Sequence, residues 1–96
     1  MKFTVRPYLT LRKAMGNKAA IDMEASSATL RSVLADLADR FGHDFSELMF
    51  DPKTQELSTH MKVLVNGRHF KYLPNRLDTE LKDGDEVALF PPVAGG

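Results

Sequence analysis

The sequence predicts an α+β fold, one mixed sheet with a single main helix packed on one face. Three observations carry this prediction. Leu30, Val33, Leu34, Leu37, Ala38 and Phe41 recur at helical spacing within one stretch. Short segments that alternate polar and apolar residues lie on both sides of it, at residues 2–6, 19–24, 61–65 and 86–90. The chain has 96 residues, enough for one domain with one modest core. A domain of that size buries roughly 60% of the surface its unfolded form exposes, which suits two packed layers.

The elements follow in order. Residues 2–6 place Phe3 and Val5 on one face of a half-buried strand. Pro7 cannot donate a ladder hydrogen bond, so it marks an edge position or the strand's end. Leu9, Leu11, Ala14 and Met15 fall in a long connection that closes with a turn at Gly16-Asn17. Residues 19–24 form a weaker strand with Ile21 and Met23 on one face. The helix runs from about Leu30 to Phe41. Thr29 is its expected N-cap, with Ser26 and Ser27 as competitors, and Gly42 its expected left-handed C-terminal residue.

Residues 44–50 suit a short second helix with Phe45, Leu48 and Met49 inward, and Asp51-Pro52-Lys53-Thr54 reads as a turn. Met61, Val63 and Val65 share one face of a strong strand. Asn66-Gly67 is a two-residue hairpin signal, which predicts a returning strand over residues 69–73, broken by Pro74-Asn75. Asp83-Gly84-Asp85 reads as a tight turn. In the last strand Val87 and Leu89 share one face, and Ala88 and Phe90 the other. The order is strand, strand, helix, strand, short strand, strand. The β-grasp, or ubiquitin-like, roll is the best-known fold with that order. Residues 1–90 are the expected domain and residues 91–96 an extended tail.

Composition excludes several functions. Thirteen basic residues balance thirteen acidic ones, so the chain lacks the basic excess expected of a nucleic-acid binder. No apolar run approaches the roughly 18 residues of a membrane span. The first residues carry no signal-peptide pattern, which points to the cytoplasm. There is no cysteine, so disulfides, thiolate metal sites and cysteine nucleophiles are all out, and any sulfur handled must be acquired. His43, His60 and His69 lack metal-ligand spacing. Asp83 and Asp85 fit turn chemistry, and Ser26, Ser27 and Thr29 fit capping. Arg12, Lys13 and Lys18 read as a solvated loop cluster, and no glycine-rich phosphate loop precedes a helix. No catalytic constellation emerges, so an enzyme in its own right is not expected, and neither is a bound cofactor or metal.

What remains is the end of the chain, Pro91-Pro92-Val93-Ala94-Gly95-Gly96. Two prolines cannot continue a ladder and favour an extended segment. Side chains then shrink until Gly95 and Gly96 have none, which suits a narrow channel and ends in a carboxylate. A carboxylate is a poor electrophile until activated, for example as an acyl-adenylate. At average glycine usage of about 7%, a Gly-Gly end arises by chance in roughly 0.5% of chains.

The run from Leu81 through Asp83-Gly84-Asp85, Phe90 and Pro91-Pro92 to Gly95-Gly96 resembles the C-terminal signature of the MoaD family, the small subunit of molybdopterin synthase and its relatives. Met61 to Arg68 resembles that family's third strand and turn, and Tyr8-Leu9-Thr10-Leu11-Arg12 its pattern after the first strand. Two features depart from the compact members: residues 44–59 look longer, and Pro7 stands where an aromatic is frequent. The resemblance implies an ATP-dependent adenylating enzyme that activates Gly96, and sulfur that replaces AMP to give a C-terminal thiocarboxylate. It implies an acceptor, the molybdopterin synthase large subunit or an equivalent, that takes the sulfur for a molybdenum or tungsten cofactor. It leaves two alternatives: a small protein modifier joined to target lysines, and a sulfur carrier for thiamine or another metabolite. It also implies docking residues beside the tail: Tyr8 and Phe90 as one exposed patch, continued by Pro91, Pro92, Val93 and Ala94.

Overall fold

A computed structural model describes residues 1–91. Strand β1 (Lys2–Pro7) pairs antiparallel with β2 (Ile21–Glu24), with Phe3 opposite Met23 and Val5 opposite Ile21. The last strand, β5 (Glu86–Phe90), lies on the other side of β1 and runs parallel to it. Strand β3 (Lys62–Val65) pairs antiparallel with β5, and the two-residue β4 (Arg68–His69) completes the sheet in the order β2-β1-β5-β3-β4. First and last strands thus meet in the middle, the mixed β-grasp arrangement expected from the sequence.

Alternation along each strand sorts the side chains. Phe3, Val5, Val63, Val65, Val87 and Leu89 are buried on one face of the sheet. Helix α2 (Leu30–Phe41) contributes Leu30, Val33, Leu34 and Leu37 to the same core. Its bounds are those expected from the sequence. The N-cap is Thr29 rather than either serine, because Ser32 answers it in a reciprocal box. The Ser32 N–H donates to the Thr29 hydroxyl at 3.1 Å, and the Thr29 N–H donates to the Ser32 hydroxyl at 2.9 Å.

Three expectations are corrected, and of the two readings of Pro7 the strand's end holds and the edge position does not. The long connection after β1 holds an element that was not expected: Thr10–Ala14 forms a short helix, α1, with Leu11 and Met15 fully buried. It packs against α3 (His43–Met49), which buries Phe45 and Met49 and leaves Leu48 half-buried, so the two short helices close one end of the core. Pro7 ends a strand that lies inside the sheet, not at an edge; it stands opposite Leu89 and is fully buried. Gly42 has φ 75° and ψ −148°, outside the left-handed helical region and in one that glycine alone adopts readily. That single residue ends α2 and starts α3. The predicted strand over residues 69–73 stops at His69. Phe70–Tyr72 turns into one 3-10 turn, whose first free N–H, that of Lys71, donates to His69 Nδ1 at 3.3 Å. The hairpin before it holds, with positive φ at Asn66 (51°) and Gly67 (85°) as a type I′ turn requires.

The buried stripe of α2 makes a direct check of the helix register. Leu34→Ala, at a site only 2% exposed, is expected to cost about 2–5 kcal/mol in urea unfolding. An unchanged urea midpoint would remove Leu34 from the core.

Candidate functional site

Because β1 and β5 are parallel, they finish at the same end of the sheet. The Tyr8 N–H donates to the Leu89 carbonyl at 3.0 Å, so pairing continues one residue past β1. Alternation then sets Tyr8 in phase with half-buried Thr4 and Arg6, and Phe90 in phase with Ala88, on the face away from α2. The Tyr8 and Phe90 rings stack, with centroids 4.4 Å apart and planes 3° from parallel. Such a pair contributes about 0.5–1.5 kcal/mol beyond area burial. The structure brings the two predicted docking residues together, but each is half-buried rather than exposed, because each ring covers the other.

Helix α1 adds a third group. Arg12 carries its guanidinium 6.0 Å from the Tyr8 ring centre, and its Nε–H donates to the Pro7 carbonyl at 3.4 Å. The sequence placed Arg12 in a solvated cluster with Lys13 and Lys18; all three are exposed, but Arg12 leans on the stack. Leu9 is the residue the sequence reading missed. It is 63% exposed and sits between Tyr8 and α1 at φ 55° and ψ −130°, a conformation that strains any residue with a Cβ. A single leucine before a threonine carries no sign of this.

On the neighbouring strand Lys62 stands opposite Phe90, and half-buried Leu64 stands opposite Ala88 on one side and His69 on the other. His69 stacks on Phe70 at 5.0 Å. Burial, and then the charges of Lys71 and Lys62, lower its pKa below the usual 6.5. The face beside the strand ends is therefore aromatic and aliphatic at its centre and basic at its margin.

Pro91, placed in the tail by the sequence reading, is itself buried, so packing runs one residue past Phe90. Pro92, Val93, Ala94, Gly95 and Gly96 lie outside the described residues. The other candidates occupy structural positions. Asp83 Oδ1 accepts the Lys2 N–H at 2.7 Å, and Asp85 accepts the Lys82 N–H at 2.8 Å and the Asn66 amide at 2.9 Å. His43 lies 3.3 Å from Glu47 on one exposed helix face. Among the described residues no group of three His, Cys, Asp or Glu could hold a metal ion, and no helix is long and apolar enough to cross a membrane. The arrangement is a stacked aromatic pair at a strand end, with His69, Lys62 and the Arg6–Glu86 ion pair at 3.0 Å on the same face of the sheet.

Comparison with known proteins fits this geometry. The model of the ThiS family matches residues 9–96. The chain is 35% identical to small archaeal modifier protein 3 of Haloferax volcanii over 96 residues, covering 100% of both chains. It is 32% identical to the sulfur carrier protein CysO of Mycobacterium tuberculosis over 97 residues, again covering 100% of both. Among solved structures, a Pyrococcus furiosus protein provisionally described as molybdopterin converting factor subunit 1 superposes with TM-score 0.72. It is 28% identical, over 97% of this chain and 99% of that one.

The strain at Leu9 yields a measurable expectation. Leu9→Gly should stabilise the domain by about 1 kcal/mol, since relief of the backbone strain exceeds the added chain entropy of glycine. A urea midpoint that falls would show that Leu9 is not strained.

Proposed function

The chain belongs to the ThiS family of ubiquitin-like sulfur carriers and small modifiers, and on that premise we propose that its working group is the carboxylate of Gly96. The observation that carries this reading is the placement of β5. A central strand, clamped between β1 and β3, ends at Phe90 beside the Tyr8 stack, and the sequence after it is Pro-Pro-Val-Ala-Gly-Gly. Residues 1–91, with Pro91 buried, serve as the handle and residues 92–96 as the delivered tail.

In the proposed cycle the Gly96 carboxylate attacks the α-phosphorus of ATP on a partner activating enzyme and expels pyrophosphate. A sulfide-level nucleophile displaces AMP and leaves a C-terminal thiocarboxylate. That sulfur attacks an electrophilic carbon of an acceptor and displaces its leaving group, which gives a thioester between Gly96 and the acceptor; water then cleaves the acyl–sulfur bond, leaving a thiol on the acceptor and returning the carboxylate. The protein itself acts as a cosubstrate in the cytoplasm, where ATP is at hand, and needs no bound cofactor. A pterin precursor, whose dithiolene sulfurs would make a molybdenum or tungsten cofactor, is the acceptor favoured by the likeness to the Pyrococcus furiosus protein. The acceptor enzyme would then correspond to a molybdopterin synthase large subunit. A second reading draws on the full-length likeness to a small archaeal modifier. There the amine of a target lysine, not sulfur, displaces the leaving group and forms an isopeptide bond.

Co-expression with the native activating enzyme tests the cycle. Intact mass should rise by the difference between sulfur and oxygen, and removal of Gly96 should abolish ATP–pyrophosphate exchange while the thermal melt is unchanged. Exchange that survives the deletion would refute the assignment of Gly96. A branched remnant of residues 83–96 on target lysines after trypsin digestion, since Lys82 is the last basic residue before the tail, would select the modifier reading.

Docking is tested separately. Phe90 and Tyr8, with Pro92, Val93 and Ala94, are proposed to seat the carrier on its partners; Pro91, buried in the domain, drops out of the expected set. Buried aromatic anchors typically lose about 2 kcal/mol or more on truncation, roughly a 30-fold loss of affinity. Phe90→Ala should weaken binding of the activating enzyme by that order in calorimetric titration, with a small change in the melt. Unchanged affinity with a collapsed melt would make Phe90 a purely structural residue.

A further inference from the structure

Charge is unevenly spread along a chain whose formal net charge is zero. Residues 60–77 hold Lys62, Arg68, Lys71 and Arg76 and no carboxylate, whereas residues 78–86 hold Asp78, Glu80, Asp83, Asp85 and Glu86 against Lys82 alone. In the fold Lys71 and Arg76 of this run line a cleft of about 600 Å³ next to His69 of β4. Leu34, Leu57, Met61 and Phe70 supply its apolar lining, and Arg31, Lys71 and Arg76 its cations; Glu56 is the one carboxylate that lines it. Arg31 holds Asp78 at 3.0 Å, but both side chains are largely exposed, and such pairs contribute little. Among the described residues no carboxylate is ion-paired with Lys71 or Arg76.

The wall opposite β4 is the long segment after α3. It is fixed rather than loose: Phe50 bridges to Leu57, the Lys53 N–H donates to Asp51 Oδ1 at 2.8 Å, and the Gln55 N–H donates to the Asp51 carbonyl at 2.8 Å. The cleft size falls within the ~300–1,000 Å³ typical of ligand sites.

We propose that this cleft docks an acidic peptide segment with an apolar centre, supplied by a partner protein. Three features select that occupant. A lone anion would engage the cations and leave the lining wet. A purely apolar ligand would fill the lining and leave the cations unanswered. Among the described residues the two-residue strand β4 pairs with β3 alone, which leaves a short edge at which an extended segment adds. A second copy of this chain is the poorer fit. Its acidic edge strand β2 carries Asp22 and Glu24, but Ile21 is buried in its own core and Met23 is half-buried there. The cleft takes no residue from the Tyr8–Phe90 stack, so the proposal stands apart from the tail chemistry.

The test uses the full-length protein and a fluorescein-labelled synthetic peptide with a Leu-Ile-Val-Leu centre and Asp-Glu pairs on both sides. A control peptide carries Lys pairs around the same centre. The acidic peptide should raise anisotropy on binding, and amide NMR shifts should gather at Arg31, Leu57, Phe70, Lys71 and Arg76. The double variant Lys71→Glu/Arg76→Glu should keep its native amide spectrum and bind the acidic peptide at least ~10-fold more weakly, about 1.4 kcal/mol. Lys71→Arg/Arg76→Lys should bind as the native protein does. The proposal is overturned by equal binding of the control peptide, by shifts centred on Tyr8 and Phe90, or by no binding up to about 1 mM. Self-association in sedimentation that the charge-reversed variant loses would assign the cleft to a second copy and overturn it as well.

Discussion

The parallel pairing of β1 with β5 is the constraint on which the rest of the structure depends. It joins the first strand of the chain to the last, and β2 and β3 take their places on either side of that central pair. Parallel neighbours finish at the same end of a sheet. Tyr8, one residue past β1, therefore meets Phe90, the last residue of β5, and the chain beyond Phe90 starts from the most firmly held part of the molecule. Buried Val5, Val87 and Leu89 on the inner face secure the two strands against α2. An antiparallel partner for β1 would have sent the C-terminal segment to the opposite end, away from Tyr8 and Arg12.

How much of this was legible in the sequence depended on the length of the signal. Helix α2 repeats its apolar residues over three turns, and both its ends were readable, although Ser32 was needed to choose Thr29 over Ser26 or Ser27. The five residues of α1 span little more than one turn, too short for a period to show. The pair Leu11 and Met15, four residues apart and both buried, was the available sign. Strand β4 was overestimated because a run such as His69 to Leu73 looks strand-like by composition. The hairpin permits pairing of only Arg68 and His69 before the chain turns under Phe70.

The candidate site divides in the same way. Strand alternation separated Phe90 from Val87 and Leu89, and phase separated Tyr8 from Phe3 and Val5, so the outward direction of both rings was readable. Their mutual cover was not, because it follows from the parallel register, which brings strands remote in sequence side by side. The strain at Leu9 is a backbone property that residue type does not encode. The tail was legible only as composition, two prolines and a run of shrinking side chains.

The half-buried state of the stack bears on how a carrier of this kind remains soluble. An aromatic side chain left open beside a strand end invites association with other chains. Here Tyr8 and Phe90 shield one face of each other, and Arg12 brings a charge and its alkyl stem against the same ring. The stack contributes about 0.5–1.5 kcal/mol beyond the area it buries, and it keeps both rings half-buried in the isolated protein. Leu9 differs in kind: it is 63% exposed and held there by a strained turn. A core anchored by β1 and β5 can carry that strain because its own stability comes from the opposite face of the sheet, where Val5, Val63, Val87 and Leu89 are sealed under α2.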